Sequence, residues 1–288
     1  MKLSNYDPVE FKFLAERARN RGDYETAARF FRYLMVHFGV VNDEANRRRF
    51  AVKAGECYMR AAENLEGSVK ARMLCLKAAE AFKEGGSMEM VNLCGSLVWR
   101  YYTALRGSDF ENYGESLHIL KSAGDYFMGN SDFKRAASIY LDAAERAFES
   151  GRLLLAGGLY RDAAVCYQKI RELDESANLH VKAADLYFQL QEYFEAAWIY
   201  CKAGFLLIRL GRFEEALAIA KKAELACREE RMEFFLTDLS RVCELLSQGL
   251  KDEAREKWNK IRRKLNKNYI QLVESSFQAV NFSVKKDS

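Results

Sequence analysis

A chain of 288 residues with 45 Lys and Arg against 41 Asp and Glu carries a net charge of only +4, too small an excess to point to nucleic acid. Charged residues at 30% and apolar ones at 49% describe an ordinary globular protein, and no apolar run approaches the roughly 18 residues of a membrane span. The seven cysteines (57, 75, 94, 166, 201, 227, 243) are odd in number and contain no C-x-x-C pair, so they read as small core residues of a reducing, cytoplasmic compartment.

In chain order, Met1–Asn5 leads into a helix start rather than a signal-peptide core. Asp7 can cap that helix, Pro8 fits its first turn and Glu10 can close a capping box. Next, Gly22-Asp23-Tyr24 precedes Ala27-Ala28 and Phe31. The stretch Phe30–Val41 is dense in apolar residues and is followed by Arg47-Arg48-Arg49. Phe31 and Leu34 fit a helical core, whereas Phe38, Val40 and Val41 beside the arginines also suit an anionic bilayer surface. Ala54-Gly55…Tyr58 and Ala78-Ala79…Phe82 then repeat one signature at a spacing of 24, implying an inserted turn near Asn64–Gly67. Gly107-Ser108-Asp109 reads as a loop.

From Tyr113 to Ala223 the period settles at 20. Ala123, Ala143, Ala163, Ala183, Ala203 and Ala223 form one column, flanked by Gly124, Ala144, Ala164, Ala184 and Gly204. Others hold Ile139, Leu159, Leu179, Ile199, Ile219 and Tyr140, Tyr160, His180, Tyr200. Large apolar residues open the units at Phe133, Leu153, Leu173, Tyr193 and Phe213. Within a unit the apolar steps are three and four, the helical period. Each unit is therefore one helix of about 17 residues, antiparallel to its neighbours because the turns are short. Gly151 and Gly211 suit the left-handed position after a helix; Arg171–Asp174 and Gln191–Glu192 are junctions by period alone.

Downstream, Met232–Gly249, Lys251–Leu265 and Asn268–Val280 read as three helices with larger apolar residues, among them Phe234 and Trp258. Such a divergent end covers the open face of a repeat array. The expected division is an array over residues 1–227 and a helical cap over 228–288 ending in a short basic tail.

Chemistry-bearing patterns are sparse. There is no Walker-type loop or G-x-G-x-x-G, and the three histidines have no partner at metal-ligand spacing, so no cofactor, metal or catalytic residue is expected. His180, in the tyrosine column, is expected to pack between helices. Lys251–Lys267 holds eight Lys and Arg against three Asp and Glu. On it, Arg255, Arg262 and Arg263 are candidates for an acidic partner, the alternative being a solvated face. Lys182, Lys202 and Lys222 share a column, and antiparallel stacking places Lys182 and Lys222 on one face and Lys202 on another. Lys182 and Lys222 are the partner-binding candidates there.

Units such as Ala183-Ala184-Asp185-Leu186-Tyr187…Ala196-Ala197-Trp198-Ile199-Tyr200…Ala203 resemble tetratricopeptide repeats. Because Ala203-Gly204 begins the next match at once, each helix serves two repeats. That compressed, doubled-alanine form resembles the soluble NSF attachment proteins, the SNAP adaptors. The resemblance implies an all-α right-handed superhelical solenoid and a non-catalytic adaptor for protein and vesicle transport. Such an adaptor lies along a helical-bundle cargo and recruits an AAA ATPase, with peripheral membrane contact. This chain departs from the family in its basic C-terminal helix and in a tail, Val284–Ser288, without leucine. A general tetratricopeptide scaffold or co-chaperone, and a regulator binding nucleic acid or an acidic surface through Lys251–Lys267, are the other readings.

Overall fold

The structure, a computed structural model, describes residues 7–65, 68–105, 113–230 and 235–284. The expected loop at Gly107–Asp109, Glu66-Gly67 of the expected inserted turn, Met1–Asn5, Phe234 and the tail from Lys285 lie outside those residues.

All regular structure among the described residues is helical. In order it comprises α1 (Pro8–Asn20), α2 (Tyr24–Val40), α3 (Glu44–Glu63), α4 (Val69–Glu84), α5 (Met88–Leu105), α6 (Tyr113–Gly129) and α7 (Phe133–Glu149). There follow α8 (Leu153–Lys169), α9 (Leu173–Gln189), α10 (Tyr193–Arg209), α11 (Phe213–Glu229), α12 (Phe235–Ser247), α13 (Lys251–Ile261) and α14 (Lys267–Val284). The chain divides into two compact units, residues 1–127 and 128–288. In the first, the successive pairs from α1–α2 to α4–α5 pack together; in the second, those from α7–α8 to α12–α13 do the same and α14 returns to lie on α10. Sequential packing of this kind is what stacked helical repeats produce.

Local chemistry explains the helix ends. Asp7 Oδ1 accepts from the Val9 amide at 2.8 Å, with Pro8 in the first turn. Asp23, Asp43, Ser68 and Asp132 cap α2, α3, α4 and α7 in the same manner. The helices from α8 to α11 have no such side-chain cap. Their junctions rely on the backbone instead. Ser131, Gly151, Arg171, Gln191 and Gly211, one column at period 20, all have positive φ, between 61° and 76°. The next residue then donates back five positions: Arg152 N to Ala147 O at 2.8 Å, Glu172 N to Tyr167 O at 3.0 Å, Glu192 N to Tyr187 O at 2.9 Å and Arg212 N to Leu207 O at 2.9 Å. That is the Schellman closure, and it fixes both the helix end and the reversal. The two junctions without glycine adopt it as fully as those with one.

The alanine column is fully buried at all six positions from Ala123 to Ala223. Backbones approach so closely that a Cβ on Gly204 would sit 2.5 Å from Cys243 Sγ, and one on Gly55 2.8 Å from the Phe82 ring. Glycine replaces alanine at Gly204 because α12 presses against α10 there. Tyr140, Tyr160, Tyr200 and His180 are buried opposite. Ion pairs tie next-but-one helices: Lys53–Glu16 at 2.7 Å, Lys70–Glu25 at 2.9 Å and Arg212–Asp174 at 3.1 Å. Alternate helices therefore share a layer.

The C-terminal helices differ from expectation at their ends. The helix expected over Lys251–Leu265 stops at Ile261; Arg262–Lys264 form a single 3-10 turn and Leu265 is extended (φ −108°, ψ 151°). The cause is the next helix start, where Asn266 Oδ1 accepts from the Tyr269 amide at 3.0 Å. Arg262 and Arg263 consequently lie in a turn and not on an α-helix, although both remain exposed. The helix expected over Met232–Gly249 is described from Phe235 to Ser247, and that expected over Asn268–Val280 runs from Lys267 to Val284.

Candidate interaction site

The second unit carries a cleft of about 790 Å³ between α8, α10 and α14. Period 40 builds one wall: Lys169 and Arg209 both end their helices, and Lys202 lies one layer-mate away from Asp162. The Arg171 junction adds a fourth cation. The facing wall carries Asn266, Asn268, Gln271 and Ser275. Among the described residues no carboxylate lines the cleft. Three ties hold α14 in place. Ser276 Oγ donates to Phe205 O at 2.9 Å, Tyr269 packs 4.6 Å from Trp198, and Glu274 accepts from Trp258 Nε1 at 2.6 Å and from Arg255 at 2.8 Å.

Like charges so gathered disfavour one another. Burial, with the nearby Arg161 and Lys169 cations, lowers the Lys202 ammonium to about 8 against a weaker opposing pull from Asp162. Burial also lowers Arg209. Cations in a last turn complement the helix dipole, which accounts for Lys169 and Arg209 without any ligand. It does not account for Lys202, placed mid-helix and half-buried.

The sequence candidates fall elsewhere. Lys182 is exposed with its ammonium 4.2 Å from the Tyr160 ring centroid. Lys222, also exposed, pairs with Asp185 at 2.7 Å. That bond joins α9 to α11, so Lys182 and Lys222 belong to one layer while Lys202 faces the cleft. Arg255 is held inside the fold, its guanidinium bonded to Glu274 and 3.6 Å from the Phe277 ring centroid. Lys260 pairs with Glu256 at 2.8 Å and Lys257 with Asp238 at 3.7 Å. Much of the basic stretch is thus neutralised within the chain, and Arg262, Arg263, Lys264 and Lys267 belong to its exposed remainder. Phe38 stacks on Phe50 at 5.4 Å, so it is core-facing, whereas Val40 and Val41 are 72% and 54% exposed. Arg47 and Arg48, part of the adjoining basic run, both bond Glu44 and hold its carboxyl down at about 2.

The structure brings together residues that sequence reading left apart: Lys169, Arg171, Lys202 and Arg209. The available signal was the step of 40, which puts α8 and α10 in one layer. The approach of α14 carried no signal. His180 is fully buried, as its column implies, with neither ring nitrogen hydrogen-bonded. Burial foremost, with Lys202 and Arg161 nearby, keeps it neutral well below its ordinary range. Among the described residues, no cluster of three His, Cys, Asp or Glu is placed to hold a metal, and no helix is long and apolar enough to cross a membrane.

The sequence model of one family, the soluble NSF attachment proteins (SNAP), matches residues 44–209, from the start of α3 to the end of α10. The chain belongs to the SNAP family. It is a helical-repeat protein of the adaptor type, and the matched span ends before α11 and the C-terminal helices. A search of curated proteins finds no match. Among solved structures this SNAP-family chain is similar to aspartyl phosphate phosphatase F from Bacillus subtilis, at 12% identity and a TM-score of 0.43 over 98% of this chain and 76% of that one. It is also similar to BtubC (BKLC) from P. vanneervenii, at 11% identity and a TM-score of 0.41 over 83% and 92%. A Rap protein complexed with competence and sporulation factor gives 12% identity and a TM-score of 0.37 over 91% and 76%. These likenesses are loose.

Proposed function

We propose that this SNAP-family protein is a non-catalytic cytoplasmic adaptor that binds a helical protein cargo along its repeats and recruits an AAA ATPase through its C-terminal helices. The family match over α3 to α10 supports the reading, because that span is most of the repeat array that would lie along a cargo. The exposed Arg262 and Arg263 supply a cationic recruitment surface, so the ATPase here would present acidic residues. In the same reading Val40 and Val41, exposed at the end of α2, touch the bilayer that carries the cargo.

Charge reversal at Arg262 and Arg263 tests the division of labour. Both are exposed, so R262E/R263E should fold, keep cargo binding and lose ATPase recruitment. Loss of both activities together, or of neither, contradicts the separation. Co-sedimentation of V40S/V41S with anionic liposomes tests the membrane contact, and behaviour identical to the parent removes it.

A further inference from the structure

We propose that the cleft between α8, α10 and α14 binds a small ligand bearing clustered phosphates. Four cations, Lys169, Arg171, Lys202 and Arg209, converge on it with no carboxylate among its described lining residues, and none forms an ion pair there, Asp162 exerting only a weak pull on Lys202. Elsewhere in the chain exposed cations are repeatedly paired, as in Lys222–Asp185 and Arg212–Asp174. The cleft gathers four cations outside any such pair, and their charges repel one another until an anion enters.

The ligand class follows from the lining. One carboxylate would leave most of the charge unbalanced, whereas a di- or triphosphate matches it. The two guanidinium forks suit phosphate oxygens, and the ammonium groups act as point charges beside them. Asn266, Asn268, Gln271 and Ser275 add neutral donors on the opposite wall. At about 790 Å³ the cleft lies within the range of small-molecule sites. Ligand and cleft are independent of the adaptor reading, since neither cargo nor ATPase enters the argument. The phosphates could be those of a soluble compound or of a lipid headgroup, and the two sources are separable.

Calorimetric titration of the full chain with sodium tripolyphosphate is the test. The expected result is saturable one-to-one binding that weakens by about tenfold or more in K202M and in R171G, the loss of one charge-assisted contact. R171G will fold, because glycine occupies the same left-handed position at Gly151 and Gly211. R262E/R263E should bind like the parent. No saturable binding, or equal affinity in K202M and R171G, overturns the proposal. So does an octaglutamate peptide that binds more tightly than tripolyphosphate, which would assign the cleft to acidic polypeptide. Vesicles of phosphatidylcholine with phosphatidylinositol bisphosphate identify a headgroup ligand if sedimentation depends on Lys202. Absence of sedimentation with tripolyphosphate binding intact assigns a soluble one.

Discussion

Lys222 donates to Asp185 Oδ1 at 2.7 Å, and the same oxygen accepts from Tyr200 Oη at 2.5 Å. The Lys222 ammonium also lies 5.6 Å from the Tyr200 ring centroid, as Lys182 lies over Tyr160 one period of 40 earlier. A lysine 22 positions after a column tyrosine therefore roofs it from the next helix. Both lysines are exposed, so these contacts contribute modestly. Lys222→Met should lower stability by about 0.5–1 kcal/mol in denaturant unfolding. A larger loss would mean that Asp185 and Tyr200 depend on Lys222 to stay in place.

The junction column offers a sharper test. Arg171 and Gln191 hold φ values of 68° and 64° without glycine's freedom. Arg171→Gly and Gln191→Gly should each be neutral or stabilising by up to about 1 kcal/mol, while Gly151→Ala should destabilise by about the same amount. Melting temperatures of the three variants check the sign.

The alanine column tests the stacking. Ala163 is fully buried between neighbouring helices. Ala163→Leu should cost about 1–3 kcal/mol, whereas Arg161→Leu, on a part-exposed side chain, should shift stability little. Equal melting temperatures for Ala163→Leu and the parent would contradict close helix approach in this layer.

How much of this was legible depends on what repeats. Helix starts at Phe133, Leu153, Leu173, Tyr193 and Phe213 were readable to the residue because each opens a period and the turn between is fixed by one backbone closure. Gln191 and Arg171 turn as glycine does, so local propensity alone would have missed them. The 3-10 turn at Arg262 was hidden because Ile261 and Leu265 keep helical spacing while the Asn266 cap restarts the chain. The cleft was hidden for a different reason. Lys202 looks like any column lysine until α14, a long return in sequence, closes over α10.

Two buried groups set the pH response. His180 is neutral when folded, with a depressed pKa, so the unfolded chain binds the extra proton below about 6.5. Its stability contribution is present above that value and is lost as pH falls. His180→Leu should stabilise by about 1–2 kcal/mol at neutral pH by removing two unpaired nitrogens, and by more at pH ~5. Lys202, at about 8 folded against an ordinary 10.5, makes stability rise between those values, because there the unfolded chain holds more protons. Lys202→Met should therefore raise the melting temperature more at neutral pH than above pH ~10. The charged neighbours that matter are Arg161, Lys169 and Asp162 on α8 and Arg209 on α10, while α14 faces Lys202 with neutral side chains only. Parallel pH profiles for parent and variants would show that neither group titrates as its burial requires.

Affinity capture on the full chain from its native extract, with nuclease treatment and partners identified by mass, addresses the adaptor function most directly. The account predicts nuclease-resistant recovery of a helical cargo protein and an ATPase, with R262E/R263E losing the ATPase and keeping the cargo. Recovery that disappears with nuclease, or a cargo retained with no ATPase under any nucleotide condition, would contradict it.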